Sequence, residues 1–208
     1  APGADDNGSG AVAVMTIATL VASQAFDRTI EFDLFTGEEQ GLLGSSVRAD
    51  LAYAGGENII AVYNMDMLGW DVLDGPVARL HTRTPGNPMY TDDFAVASVF
   101  VSVVDMYGLS NALTPVITSD GETASDHSSF WNKGYAGILA IEDDYDDFHE
   151  FYHTTNDVLA LINLPYYTAF VKASLGSSLH MAGLVPEPCA MIAVLIAACA
   201  ACRMRAVR

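Results

Sequence analysis

Three observations predict an α/β fold. Apolar stretches of helix length alternate with short strand-like runs, the strand-like runs close on acidic or polar residues, and turn formers separate them. The chain has 208 residues, 51% of them hydrophobic, which suits one domain with a substantial core and is too little for two large ones. The net charge of -17 is spread along the body as Asp and Glu, with no basic stripe, and argues against a nucleic-acid partner. Acidic side chains are also the hard oxygen ligands that metals use. The cysteines, Cys189, Cys199 and Cys202, all lie near the carboxyl end, so the body has no disulfide and no thiolate metal site. The first residue is Ala1, so either a leader has been removed or the sequence starts inside a longer protein.

In chain order, Ala1-Pro-Gly-Ala-Asp-Asp-Asn-Gly-Ser-Gly10 is a loop of turn formers, and Ala11 to Ala25 predicts a buried helix because no breaker interrupts it. Asp5 and Asp6 sit just ahead of that helix. A carboxylate there serves either as a helix cap and dipole partner or as a metal ligand held by the Gly-rich turn. Thr29 to Phe35 alternates apolar and polar residues and predicts a strand with Glu38 and Glu39 at its carboxyl end, where ligands of open α/β sheets gather. Neighbouring side chains leave the backbone in different directions, so one carboxylate can hold a metal while the other faces a water molecule. Residues 41–54 read as helix and 58–67 as an apolar strand. Asp66 lies at the mouth of that strand, where a buried charge must be paired or metal-bound.

Val77 to Arg83 reads as a strand and Tyr90 to Tyr107 as a helix ended by Gly108. Thr118 to Trp131 begins as a polar loop and becomes a short helix, with Asp126 and His127 at the junction. There His127 reads as a capping or core-edge residue in preference to a ligand. Ala136 to Ile141 is a short buried strand. Glu142 to Glu150 is rich in acids and reads as a solvated loop, because like charges repel and the spacing lacks the Gly and closing Glu of an EF-hand. His153 follows as a candidate imidazole ligand. Pro165 to Gly183 reads as a helix with Tyr167, Phe170, Val171, Leu175 and Leu179 near one face.

Five motifs now stand in order: Pro2-Gly-Ala-Asp-Asp-Asn-Gly-Ser-Gly10, Thr36-Gly-Glu-Glu-Gln-Gly-Leu-Leu-Gly-Ser45, Asn64-Met-Asp-Met67, Ser125-Asp-His127 and His153-Thr-Thr-Asn-Asp157. Residues 1–184 resemble the co-catalytic zinc aminopeptidases related to bacterial leucyl aminopeptidase and glutamate carboxypeptidase. The resemblance implies a three-layer αβα zinc-exopeptidase domain of the phosphorylase/hydrolase-like kind, with a mixed, mainly parallel sheet. It implies that Asp5 bridges two Zn2+ ions, that Asp66 binds one, that Glu39 and His153 bind the other, and that Glu38 is the general base acting on a peptide substrate. It also puts Met67 at the wall of the pocket for the substrate's first side chain. The family's fifth protein ligand, a histidine in a His-x-Asp motif, precedes the Pro-Gly-Ala-Asp turn. The resemblance therefore implies a domain truncated at its amino terminus, with one zinc site lacking its histidine. Carboxypeptidase and glutaminyl cyclase activities share this scaffold, and a non-catalytic envelope binding or receptor-like module on the same fold is the alternative from another class.

Residues 185–208 differ in character. Val185-Pro-Glu-Pro188 precedes an uncharged segment, Cys189 to Cys202, and Arg203, Arg205 and Arg208 close the chain. As a helix the uncharged segment covers roughly 21 Å, short for a hydrocarbon core of about 30 Å unless flanking residues contribute. The tail resembles PEP-CTERM sorting signals of Gram-negative envelope proteins. That resemblance implies transient membrane anchoring, processing by an exosortase-type partner, and export of the body to the cell envelope, periplasm or exterior.

Overall fold

Gly137-Ile-Leu-Ala-Ile141 is buried at every position, and it forms an inner strand of the sheet because both of its faces are covered. The computed structural model describes residues 2–73 and 75–185. Its elements are α1 (Gly8–Val21), β1 (Ala25–Phe26), α2 (Leu43–Gly55), β2 (Val62–Met65), β3 (Val77–His81), α3 (Tyr90–Met106), β4 (Thr114–Thr118), α4 (His127–Trp131), β5 (Gly137–Ile141), α5 (Leu164–Ala182) and β6 (Leu184–Val185). A four-stranded sheet runs β2-β5-β3-β4, and a small antiparallel pair joins β1 to β6. β2 pairs parallel with β5 and β3 parallel with β4, whereas β3 meets β5 antiparallel. The sheet is mixed and mainly parallel, as the resemblance implies.

Side chains alternate across β5. Ile138 and Ala140 enter the main core with Leu80, Phe100 and Phe170, while Leu139 and Ile141 pack with Met67 in a second cluster. α3 supplies Val96, Ala97, Phe100, Val103 and Val104 to the main core, a helical spacing that keeps one stripe inward. Burying Phe100 and Phe170 contributes about 1.5–3 kcal/mol each. α5 meets α3 through small residues: a Cβ at Gly176 would lie 2.6 Å from Val103, so the close approach needs glycine. The buried face of α5 is accordingly Tyr166, Ala169, Phe170, Ala173, Ser174 and Ser177; of the residues that apolar patterning picks out, Phe170 is fully buried, Tyr167 and Val171 pack against the core, and Leu175 and Leu179 are only partly buried. Asn163 caps this helix by accepting from Tyr166 N–H, and Gly183 ends it at φ 68°.

Three further expectations are corrected. α1 spans residues 8–21, and Val12, Met15 and Leu20 face solvent, so it is buried on one side only. β4 was missed, because Pro115 lies inside a five-residue run and masks its strand character. Residues 29–35 form no strand, and among the described residues none of them makes a backbone–backbone hydrogen bond. A cleft of about 900 Å³ lies there instead, with Thr29 to Phe35 on one wall and Asn58 to Asp66 on the other. Arg48 of α2 bonds Glu31 and Glu57 at 2.7 Å each, and ties the first wall to the helix behind it. Among the described residues no helix is long and apolar enough to cross a membrane. The tail from residue 186 lies outside the described residues.

Candidate functional site

The turn that opens the chain is built by glycine. Gly3 sits at φ 64°, a Cβ on it would meet the Asp6 carbonyl at 2.7 Å, and Gly8 N–H closes the turn on the Gly3 carbonyl at 2.9 Å. Asn7, not Asp5 or Asp6, caps α1, its side chain accepting from Gly10 N–H at 3.0 Å. The two aspartates are left to other work.

Asp6, Glu39 and His153 come together. One ligand atom from each lies within 4.8 Å of the other two. His153 Nε2 is 2.5 Å from Glu39 Oε1 and 3.3 Å from Asp6 Oδ2, and the Tyr152 ring stacks on the imidazole at 3.7 Å. Glu39 reaches this point from the turn between the unpaired segment and α2, where Gly41 and Leu42 N–H groups close on the Glu38 carbonyl. His153 adopts φ 59° in the loop that follows the acidic run.

Asp5 is a correction in geometry. Its carboxylate is fully buried away from the cluster, and its Oδ1 accepts from Gly69 N–H at 2.8 Å. Successive side chains of one turn point apart, so only one of the pair can face His153. Asp66 follows β2 into the cleft. Its Oδ2 accepts from Ser125 Oγ at 2.6 Å, and Ser125 Oγ accepts from Asn64 Nδ2 at 2.7 Å. Its Oδ1 is buried and has no partner. Glu38, Glu39, Asp6, Asp66 and Asp126 all line the cleft.

The electrostatics follow from crowding carboxylates without a cation. Burial, together with the charges of Asp66, Asp126, Glu39 and Asp6, pushes the Glu38 carboxyl up to about 7. Burial pushes Asp6 and Asp66 up to about 6 each, with Glu39 adding to the effect at Asp6 and the Ser125 bond opposing it at Asp66. The donor set fits zinc. It offers two carboxylates and an imidazole within reach of one ion, and a third carboxylate with an orphaned buried oxygen.

The other histidines do not join the cluster. His127 is buried against Trp131, bonds the Glu122 carbonyl through Nε2 at 2.8 Å, and is pushed down to about 4 by burial, in keeping with a core role. His81 sits between Asp120 and Asp144, and His149 packs edge-on against Trp70. The acidic run is not a solvated loop throughout. Glu142, Asp143 and Asp147 are buried, and they accept from Trp70 and His149 N–H, from Arg79 Nε and from Trp70 Nε1 respectively. Met67 is buried against Leu139 and Ile141. Sequence reasoning assigned no role to Asn64, Ser125, Tyr152 or Asp157. All four lie inside or beside the motifs, so proximity to a motif was the signal available.

The profile of Peptidase family M28 matches residues 1–176. A probable leucine aminopeptidase of Arthroderma otae is 30% identical over 183 residues, 85% of this chain and 46% of that protein. An aminopeptidase from Aneurinibacillus sp. strain AM-1 superimposes with a TM-score of 0.69 at 28% identity, over 90% of this chain and 42% of its own. BSAP, a zinc aminopeptidase from Bacillus subtilis, gives a TM-score of 0.74 at 24% identity, over 90% and 43%. The chain thus spans somewhat under half the length of these relatives.

Proposed function

The chain belongs to Peptidase family M28, and we propose that the protein is a zinc-dependent aminopeptidase with Glu38 as its general base. The observation that carries this reading is the convergence of Asp6, Glu39 and His153 beside Glu38 and Asp66 at the strand ends. Asp6 would take the shared-carboxylate role that the resemblance gives to Asp5, Glu39 and His153 would hold an ion with it, and Asp66 would offer its free Oδ1. When bound, zinc supplies Lewis acidity at the scissile carbonyl and acidifies the attacking water.

Glu38 lines the cleft beside Glu39, Asp6 and Asp66, where its carboxylate can accept a proton from the attacking water. It takes the proton from water as the carbonyl is attacked and delivers it to the leaving amine. Ser125 and Asn64 hold Asp66 in one rotamer, which keeps its Oδ1 aimed at the cleft. The tail is read as an export and sorting signal. A reporter fused to residues 185–208 and provided with a leader is expected in the envelope, and uniform release into the medium without processing would contradict this.

Purified protein should hydrolyse aminoacyl anilides, lose activity to a chelator and regain it with zinc. Glu38→Ala is expected to lower turnover by about 10²–10⁴-fold with zinc binding retained. Unchanged turnover in that variant would remove Glu38 as the base. Free and amino-blocked peptides separate this reading from carboxypeptidase or cyclase chemistry.

A further inference from the structure

We propose that Asp157 is the positioning residue that sets the Asp6 carboxylate against His153, an inference that rests on the metal reading above. Three consecutive amides of the opening turn end on this residue. Ala4 N–H donates to its carbonyl oxygen at 3.4 Å, Asp5 N–H to Oδ1 at 2.9 Å and Asp6 N–H to Oδ2 at 3.0 Å. Asp157 is 1% exposed, so its carboxylate depends on these donors in place of water. Two charge-assisted bonds from successive peptides fix both the height and the tilt of the turn, which a single bond would leave free to rotate.

Asp157 is itself held close to His153. Its N–H donates to the Thr154 carbonyl at 3.4 Å, Asn156 N–H donates to Thr154 Oγ1 at 3.2 Å, and Thr154 Oγ1 donates to the Phe151 carbonyl at 2.7 Å. One short loop therefore presents His153 by its side chain and grips the Asp6 backbone through Asp157. The two ligands, far apart in sequence, are brought to 3.3 Å by a single connected piece of structure. An asparagine at 157 would keep one acceptor and turn an amide donor towards the other N–H. The turn would then lose half of its clamp and tilt the Asp6 carboxylate away from His153.

A purely architectural role predicts something different, namely lost stability with an intact site. The test is the zinc dissociation constant, measured by competition with a chromogenic chelator, for the purified protein, Asp157→Asn and Val104→Ala. Val104 is buried on α3, and its truncation supplies a loss of stability unconnected to the turn. The expected result is that Asp157→Asn, with native circular dichroism, weakens zinc binding about 10–100-fold while Val104→Ala leaves it unchanged. Asp157→Glu keeps both oxygens and the charge, is expected to bind with intermediate affinity, and serves as the probe if the asparagine variant does not fold. Wild-type affinity in the position-157 variants, or an equal loss in Val104→Ala, would overturn the proposal. Failure of the metal reading looks different: wild-type protein and His153→Ala would bind zinc equally, and both inferences would fall.

Discussion

Asp5 and Asp6 share one turn and one buried clamp, yet their carboxylates end in different environments. Asp5 is sealed beneath Gly69, whereas Asp6 opens on the cleft with Glu39 and His153. The resemblance put Asp5 at the metal, whereas the structure turns Asp6 towards Glu39 and His153, because the choice depends on the dihedral path between Gly3 and Gly8. Asp66 is the sole carboxylate of Asn64-Met-Asp-Met67 and His153 the sole imidazole of its motif, whereas Glu38 and Glu39 stand side by side and only the resemblance divides base from ligand. Their crowding has a consequence for stability. The folded-state carboxyls of Glu38, Asp6 and Asp66 are raised to about 7, 6 and 6 from ordinary values of 4.5, 3.8 and 3.8. The folded state therefore binds more protons than the unfolded state across that window. This contribution is fully present below about pH 4 and is lost as pH rises through about 7. Metal-free protein should melt at progressively lower temperature from pH 5 to pH 8, and zinc should restore the loss. A melting temperature that rises over this range would contradict the assignment.

At the level of elements, alternation predicts a strand at 29–35 that the structure does not form, since alternation cannot say whether a neighbour pairs with it. Strand character is written in local pattern, whereas a ladder needs a second backbone. β4 failed in the opposite way, since its pairing with β3 makes Thr114 to Thr118 a strand despite Pro115. The buried face of α5 was only partly legible: Phe170 is in the core, but close packing on α3 favours Ala, Ser and Gly over Leu175 and Leu179. The unpaired segment makes a direct prediction for hydrogen exchange. Amides of Ile30 to Phe35 should exchange orders of magnitude faster than those of Ile138 to Ala140, which lie in an inner strand. Equal protection would mean that 29–35 is paired in solution.

For the molecule as a whole, the fold collects its site from four separated stretches: the opening turn, the 36–42 loop, the end of β2 and the loop around residue 153. An α/β pattern was legible from alternation and strand-end acids, and the mixed sheet from the family resemblance. The cleft was not, because it is a property of strand order. A net charge of -17 concentrates part of its repulsion at this one place, where a cation relieves it. The most direct measurement is a zinc titration of the purified protein, Asp6→Asn, Asp5→Asn and His153→Ala under identical buffer. The predicted result is tight binding by wild type and by folded Asp5→Asn, with a loss of about 100-fold in Asp6→Asn and His153→Ala. Equal affinity across the set, or a loss at Asp5 with Asp6 unaffected, would contradict the account.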